Sequence, residues 1–296
     1  MLGAEGGIEW QHLLRPRAGG MPPTEAVEAP FMRNHSKSEE SSERKHLEST
    51  ATKRSRSSIR RAIGIFLVVL AGLLFATIVF RVVNPLSPVM VAEILGRPKL
   101  KQSWVPLGRM SPDLPLAVII REDGRFCDHW GVDWLAVRDA IKEGRRLGRD
   151  FRGASTITMQ LAKNLYLWPE RSYVRKMLEV PLAYILSALW PKRVLMETYL
   201  NIVPFGPGIV GADAASRHFF DKKAADLTPR EAILLATVLR RPSLDNPAKP
   251  TPKMLKVVDV IDKRMQMFAS RAKCIGTGFL SPPFRTRTLR GVPNWP

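Results

Sequence analysis

The chain has few of the residues that build metal centres and disulfide frameworks. Its 296 residues include only two cysteines and five histidines. No C-x-x-C or H-E-x-x-H spacing is present, and three of the histidines come before residue 50. These absences argue against a structural zinc site and against a scaffold held by several disulfides. Cys127 and Cys274 can pair or stay free, and the sequence does not decide between the two states.

Acidic residues are also scarce. There are 27 Asp and Glu against 46 Lys and Arg, which gives a formal net charge of +19. Residues 1–61 carry 11 basic and 8 acidic side chains and contribute only +3, so +16 belongs to residues 62–296. A body this basic suits an anionic partner, either nucleic acid or an anionic lipid surface.

No charged residue occurs between Ala62 and Phe80. As a helix this apolar run spans about 28 Å, close to the hydrocarbon thickness of a bilayer. A buried core helix would show a polar stripe, which this run lacks, and a cleaved signal peptide would begin nearer the N-terminus. Five basic residues precede the run and only Arg81 follows it closely. The positive-inside rule therefore predicts a single-pass protein of the plasma (inner) membrane with a cytoplasmic N-terminus and an extracytoplasmic (periplasmic) body. This orientation disfavours nucleic acid as a partner.

Composition divides the rest of the chain. Residues 1–61 are rich in Ser, Glu, Arg and Pro, which predicts a disordered cytoplasmic tail. We expect a folded domain over 84–272 and a poorly ordered basic tail over 273–296. A second membrane-facing surface is expected within 84–125, and its candidate residues are Leu86, Val89, Met90, Val91, Ile94 and Leu95.

Helix signals dominate the predicted domain. Asp133, Ser155 and Ser172 can each cap a helix. Thr228–Pro229–Arg230–Glu231 is a capping box with proline at the first helical position, and Thr251–Pro252 opens a further helix. Sustained strand alternation is scarce, so the predicted fold class is mainly α.

Short motifs recur in a fixed order along this domain. The first reads Glu122–Asp123–x-x-Phe-x-x-His-x-Gly-x-Asp133, and the second is Gly153–Asn164, which reads G-A-S-T-I-T-M-Q-L-A-K-N. Arg175–Lys176–x-x-Glu179, Tyr199–Leu–Asn201–x-x-x-Phe205–Gly206, and the pair Pro242 and Pro247 follow. In this order and spacing, over roughly residues 100–250, they resemble the peptidoglycan glycosyltransferases of glycosyltransferase family 51, most of all the monofunctional form.

The resemblance implies a lysozyme-like glycosyltransferase domain of two lobes preceded by one transmembrane helix. It implies an enzyme that joins lipid II units into a β-1,4 glycan, with inversion at the anomeric carbon and release of undecaprenyl pyrophosphate. The expected partners are lipid II, the lipid-linked glycan and the membrane, with no nucleic acid. No metal ligands are assigned, although a divalent cation (Mg²⁺ or Mn²⁺) stays open, as do cell-division or elongation proteins as partners.

The resemblance also assigns catalytic roles. Glu122 matches the family's first catalytic glutamate and is expected to be the general base. We expect burial of Glu122 among Phe126, Trp130 and Trp134, and a structural role for Asp123. Glu179 matches the second catalytic glutamate, near the leaving group of the donor.

Polar and basic residues around the second and third motifs are expected to bind the pyrophosphate of the donor. They are Ser155, Thr156, Gln160, Lys163, Arg171, Arg175 and Lys176. The fourth motif implies that Asn201, Phe205 and Gly206 position the substrate. The family usually has two successive glutamines where this chain has Met159–Gln160, which puts donor contacts at that position in doubt.

Two alternative functions remain beside this interpretation, and one further pattern is set aside. The stretch from Gly206 to Gly211 fits G-x-G-x-x-G, but a helix rather than a strand is expected before it, so a dinucleotide site is not indicated. A lysozyme-like hydrolase or lytic transglycosylase would also use two acidic residues on a helical fold, without needing the cations. A non-enzymatic membrane scaffold would use the basic body but not Glu122.

Overall fold

The computed structural model describes residues 58–81, 83–85, 100–148, 153–170 and 172–276. The predicted tail residues 1–57 and 277–296, the candidate apolar surface from Leu86 to Leu95, and Arg171 lie outside the described residues. The described part is mainly helical, as predicted, and consistent with a lysozyme-like fold.

The first helix, α1 (Ser58–Val79), contains most of the uncharged run. Its mean hydropathy of 2.8 and its length are sufficient to cross a membrane. This helix is compatible with the predicted single crossing at 62–80.

The C-terminal end of α1 is tied to later parts of the chain. The Thr77 hydroxyl lies 2.8 Å from the Tyr166 hydroxyl, and Trp190 Nε1 donates to the Thr77 carbonyl at 2.9 Å. The Phe80 ring stacks on Tyr166 with 6.1 Å between ring centroids. These contacts hold the C-terminal end of α1 against Tyr166 and Trp190.

Eight further helices follow in the described residues. They are α2 (Asp113–Glu122), α3 (Trp134–Leu147), α4 (Ile157–Tyr166), α5 (Tyr173–Leu189), α6 (Lys192–Ile202), α7 (Ala212–Phe220), α8 (Pro229–Val238) and α9 (Pro252–Met267). The nearly continuous apolar run of α2 is buried against α8 and α9, while α4 packs against α5 and α6. The first motif begins at the end of α2, in the group formed by α2, α8 and α9. The second and third motifs lie on α4 and α5, in the other group.

Local capping chemistry explains where several helices begin. Asp133, Ser172, Thr228 and Thr251 cap α3, α5, α8 and α9 as predicted. The cap of α4 is Thr156 rather than the predicted Ser155, because the Thr156 hydroxyl accepts the Met159 N–H at 3.1 Å. The Ser155 hydroxyl is thereby left to a different partner.

A small sheet was not expected from the sequence. Its strands are β1 (Lys101–Gln102), β2 (Pro204–Gly206) and β3 (Ile209–Val210), with β3 in the centre, parallel to β1 and antiparallel to β2. Strands this short carry no readable alternation. Of the G-x-G-x-x-G match, Gly206 and Gly208 belong to this antiparallel β2–β3 hairpin and Gly211 is the N-cap of α7. The match therefore lies outside the βαβ unit that a dinucleotide site requires.

The two cysteines form a disulfide, Cys127–Cys274, across 147 residues of sequence. It ties the loop after α2 to a 3₁₀ helix, Ala269–Ile275, in which Ile275 is fully buried. The sequence analysis placed 273–276 in the C-terminal tail. The structure instead includes these residues in the folded domain, because the disulfide and the burial of Ile275 hold them there.

Candidate active site

A cleft of about 940 Å³ separates the two groups of helices. Residues of α2, of α9 and of the segment after α8 line it, namely Arg121, Glu122, Arg240, Arg241 and Lys253. Residues of α4, of α5 and of the segment before α4 complete the polar lining, namely Gly153, Ser155, Gln160, Lys163, Arg175, Lys176 and Glu179. Both predicted catalytic glutamates and most of the predicted pyrophosphate ligands therefore line one cavity.

Glu122 is the last residue of α2, and its side chain is 8% exposed. Its Oε2 accepts a hydrogen bond from Gln160 Nε2 at 3.0 Å, and its Oε1 accepts one from Arg240 Nε at 3.2 Å. Gln160 Oε1 in turn accepts from the Tyr199 hydroxyl at 2.9 Å. Burial, and then the negative charge of Glu122, raise the pKa of Tyr199, so its hydroxyl stays a donor and fixes the orientation of the amide.

The surroundings predicted for Glu122 are partly wrong. Phe126 is fully buried, but Trp130 and Trp134 are 73% and 56% exposed. Trp134 is the first residue of α3, a helix with no fully buried residue, and its indole donates to the Tyr184 hydroxyl at 2.7 Å. Glu122 is therefore enclosed by polar partners rather than by the two indoles.

Asp123 does not line the cleft, and its contacts within the fold agree with its expected structural role. Its Oδ2 accepts the Ile157 N–H at 3.0 Å, and its Oδ1 lies 2.8 Å from His129 Nε2. Gly131 of the same motif has a φ of +89°, and a Cβ there would lie 2.5 Å from the Ala183 carbonyl oxygen. These contacts hold the loop of the first motif against the start of α4 and the middle of α5.

Glu179 is paired with two cations. Its Oε1 accepts from Arg175 Nη1 at 2.8 Å, and its Oε2 accepts from Lys176 Nζ at 2.6 Å. The carboxylate and Arg175 are almost fully buried, so this is not an ordinary surface pair, whereas the side chain of Lys176 is 44% exposed. Lys176 Nζ also donates to the Ser155 hydroxyl at 2.9 Å. The cluster carries one more positive than negative charge and presents it to the cleft.

The structure places Thr156 outside the cleft. Its side chain is buried, donates to the Gly131 carbonyl at 2.5 Å and caps α4. Its hydroxyl is therefore engaged by the backbone, whereas the hydroxyl of Ser155 contacts Lys176 in the cleft.

The three residues predicted to position the substrate also lie away from the cleft. Asn201 is buried and exchanges hydrogen bonds of 2.8 and 2.9 Å with the backbone of Val105. Phe205 is fully buried, and Gly206 lines a separate cavity with Pro242. The structure gives these residues a scaffolding position, because the short sheet turns the fourth motif into the core, and their role in positioning the substrate stays a prediction.

Sequence reasoning missed Arg240 and Arg241, which line the cleft near Glu122. Arg240 contacts Glu122, and Arg241 pairs with Asp245 at 2.7 Å. The available signal was two consecutive arginines directly after the apolar helix α8 and before Pro242. Nothing local indicated that they face Glu122, which lies 118 residues earlier.

A divalent cation does not fit the acidic cluster nearest to the cleft. Ligand atoms of Asp123, His129 and Asp133 lie within 4.8 Å of one another. Arg125, however, donates to both oxygens of Asp133 at 2.8 and 2.7 Å. Burial raises the pKa of Asp133, but the bonds from Arg125, the Ala136 N–H and the positive charge of Arg125 together hold it below its ordinary value. Both oxygens of Asp123 are likewise engaged. A metal ion would have to displace the guanidinium, so we assign no chemistry to one.

Comparisons with known proteins agree with this geometry. A family model described as Transglycosylase matches residues 89–266. The "Biosynthetic peptidoglycan transglycosylase" of Brucella suis biovar 1 (strain 1330) is 41% identical over 221 residues, which cover 75% of this chain and 98% of that protein. Proteins of the same name from Rhodospirillum centenum (strain ATCC 51521 / SW) and Pasteurella multocida (strain Pm70) are 42% and 38% identical, over 71% and 73% of this chain and 93% and 89% of their own lengths. The chain therefore belongs to the transglycosylase family and is a glycosyltransferase.

Proposed function

We propose that this enzyme polymerises peptidoglycan glycan chains. It transfers the growing lipid-linked glycan from undecaprenyl pyrophosphate to the 4-hydroxyl of lipid II, with inversion at the anomeric carbon. The observation that carries the proposal is one cleft with two carboxylates in different settings. Glu122 is held by a neutral amide and one arginine, whereas Glu179 neutralises part of a cation cluster.

Glu122 is the general base of this proposal. As the 4-hydroxyl oxygen forms its bond to the anomeric carbon, the hydroxyl proton passes to the Glu122 carboxylate. On the opposite face the bond from the anomeric carbon to the pyrophosphate oxygen breaks, and this single displacement inverts the configuration. Gln160 orients the carboxylate through Oε2, so Oε1, on the Arg240 side, is the oxygen that receives the proton.

Cations rather than an acid serve the leaving group. Pyrophosphate departs as a stable anion and needs charge stabilisation, unlike the alkoxide of glycoside hydrolysis, which needs a proton. Lys176, Arg175 and Lys163 on the cleft wall supply positive charge for it. Glu179 positions Arg175 and Lys176, and Ser155 fixes the ammonium group of Lys176.

The proposed location is the periplasmic face of the inner membrane, with a cytoplasmic N-terminus. The five basic residues before the uncharged run Ala62–Phe80 support this orientation. The Cys127–Cys274 disulfide supports it independently, because structural disulfides persist in oxidising compartments.

To test this proposal, the full-length enzyme in detergent is incubated with labelled lipid II in one reaction and with finished glycan in another. We expect polymer from lipid II and no cleavage of the glycan. Cleavage of the glycan without polymer formation would overturn the proposal in favour of a hydrolase or lytic transglycosylase.

A further inference from the structure

The 3₁₀ helix Ala269–Ile275, near the end of the described chain, packs beside the loop that follows the proposed base. It comes after all five motifs in sequence, and none of its seven described residues lines the cleft. Ala272 and Ile275 are fully buried, so the segment belongs to the folded domain. We call it the C-terminal clasp.

Two contacts join the C-terminal clasp to the loop after Glu122. Arg271 Nη1 donates to the Gly124 carbonyl at 2.6 Å, two residues after the proposed base. The Cys127–Cys274 disulfide attaches the same loop covalently, and the Cys274 N–H donates to Cys127 Sγ at 3.3 Å. The loop is therefore held at Gly124 and again at Cys127, both close to Glu122 in sequence.

The C-terminal clasp is itself anchored to the helix α6. Arg193 Nη1 donates to the Ile275 carbonyl at 3.0 Å. Lys192, the preceding residue of α6, donates to the His129 carbonyl at 2.7 Å, farther along the same loop. A core helix therefore supports the loop twice, once directly and once through the clasp.

Glu122 occupies a position where the backbone disfavours a carboxylate. It is the last residue of α2, and the C-terminal end of a helix carries partial negative charge on its carbonyl groups. The Arg271 guanidinium brings positive charge to this end of α2 and pairs with a carbonyl that follows the helix. Its partner is the backbone, whereas the carboxylate accepts from Gln160 and Arg240.

We propose that Arg271 and the Cys127–Cys274 disulfide position the general base. This inference rests on the proposed function, in which Glu122 takes up the hydroxyl proton. The carboxylate accepts from Gln160 at 3.0 Å and from Arg240 at 3.2 Å, and both donors belong to other elements of the fold. Release of the loop from the clasp lets Glu122 move relative to these donors, and small displacements of a catalytic group lower the rate steeply.

Arg271 can be changed without altering the lining of the cleft. The test variant, Arg271→Gln, removes the charge and shortens the side chain. The conservative variant, Arg271→Lys, keeps a cationic donor for the Gly124 carbonyl. The matched control, Lys273→Gln, removes the same charge from an exposed position of the same clasp.

The first measurement is the rate of polymer formation by the full-length variants in detergent, with lipid II varied. We expect Arg271→Gln to lower kcat about tenfold with the KM for lipid II unchanged, because the substrate contacts are intact. Arg271→Lys should recover most of this loss, and Lys273→Gln should match the wild type. An unchanged kcat in Arg271→Gln, or an equal loss in Lys273→Gln, overturns the proposal.

The second measurement separates positioning from folding. Where Glu122→Gln has already removed the base, Arg271→Gln has no base to misplace. We therefore expect it to lower the residual rate of Glu122→Gln by less than about twofold. A residue that only stabilises the fold would lower the rate by the same factor in both backgrounds, and that result overturns the proposal.

The disulfide is tested by reversible reduction. Dithiothreitol converts the bond to two thiols and is itself oxidised to a cyclic disulfide. At a temperature where circular dichroism is unchanged, we expect reduction to lower the kcat of the wild type about tenfold and reoxidation by oxidised glutathione to restore it. The control, Cys127→Ala/Cys274→Ala, should not respond to dithiothreitol. An unchanged kcat after alkylation has shown two free thiols overturns the role of the disulfide. Polymer formation by the oxidised wild type and its loss in Glu122→Gln test the proposed function separately.

Discussion

The side-chain amide of Gln160 donates to Glu122 at 3.0 Å and accepts from Tyr199 at 2.9 Å. Tyr199 is fully buried, so the position of the proposed base is set from the core of the domain. The second glutamate is set differently, by two cations on its own helix. The two carboxylates thus have separate supports, which can be removed one at a time.

Removal of the Tyr199 hydroxyl is expected to release Gln160. In Tyr199→Phe the amide oxygen of Gln160 loses its partner, which costs about 1–3 kcal/mol. We expect the rate of polymer formation to fall about tenfold while the protein stays folded, as judged by circular dichroism. Tyr184→Phe is the control, since Tyr184 is partly exposed and contacts Trp134 rather than Gln160. Equal rates for Tyr199→Phe and Tyr184→Phe would contradict the orienting role.

Loss of the Glu179 carboxylate is expected to destabilise the fold as well as the site. Glu179→Ala leaves the buried Arg175 without its partner, a change that typically costs about 3–5 kcal/mol. Glu143→Ala, in an exposed pair with Arg146 at 3.8 Å, is expected to cost less than about 1 kcal/mol. Urea denaturation of both variants measures the difference. Similar losses would show that the Glu179 pair is not buried in solution.

The free energy of unfolding is expected to depend on pH through Lys192. Burial, partly offset by the charges of Asp123 and Asp128, lowers its pKa from 10.5 to about 8. Between pH 8 and 10.5 the unfolded state binds more protons at this residue, so the contribution of Lys192 to stability rises with pH over that window. The free energy of unfolding of the wild type minus that of Lys192→Met should therefore be larger at pH 9.5 than at pH 7. A flat or falling difference is the contrary result.

The disulfide is expected to stabilise the domain and to report its compartment. Closure of a loop of 147 residues corresponds to about 5 kcal/mol in the chain-entropy account. Cys127→Ala/Cys274→Ala should lower the free energy of unfolding by an amount of that order. In cells, alkylation at lysis should find both thiols blocked if the domain is periplasmic. Two alkylated thiols in freshly lysed cells would contradict the proposed orientation.

Local chemistry accounts for what the sequence predicted well. A side-chain cap such as Asp133 or Ser172 depends only on neighbours within one helical turn, so it can be recognised without the fold. The apolar helix α1 depends on its own composition alone. The spacing of the motifs indicated that Glu122 and Glu179 belong to one site. A family resemblance carries information about tertiary structure, which local helix and strand propensities lack.

What was missed depends on contacts between distant residues. The approach of Arg240 to Glu122 and the pairing of Cys127 with Cys274 both require the complete packing of the domain. The hydroxyls of Ser155 and Thr156 are equivalent in sequence, yet only that of Thr156 faces the Gly131 carbonyl. Asn201 reads as a polar motif residue, but its amide is used to hold the segment around Val105.

The most direct test of the account is the requirement for the Glu122 carboxylate. Full-length wild type, Glu122→Gln and the exposed control Glu143→Gln are incubated with labelled lipid II in detergent, and polymer is separated by gel electrophoresis. Glutamine keeps the size of the side chain and one accepting oxygen, but it cannot take up the hydroxyl proton. The account predicts polymer from the wild type and from Glu143→Gln, and a rate at least about a hundredfold lower from Glu122→Gln. Equal polymer from Glu122→Gln and wild type would contradict it.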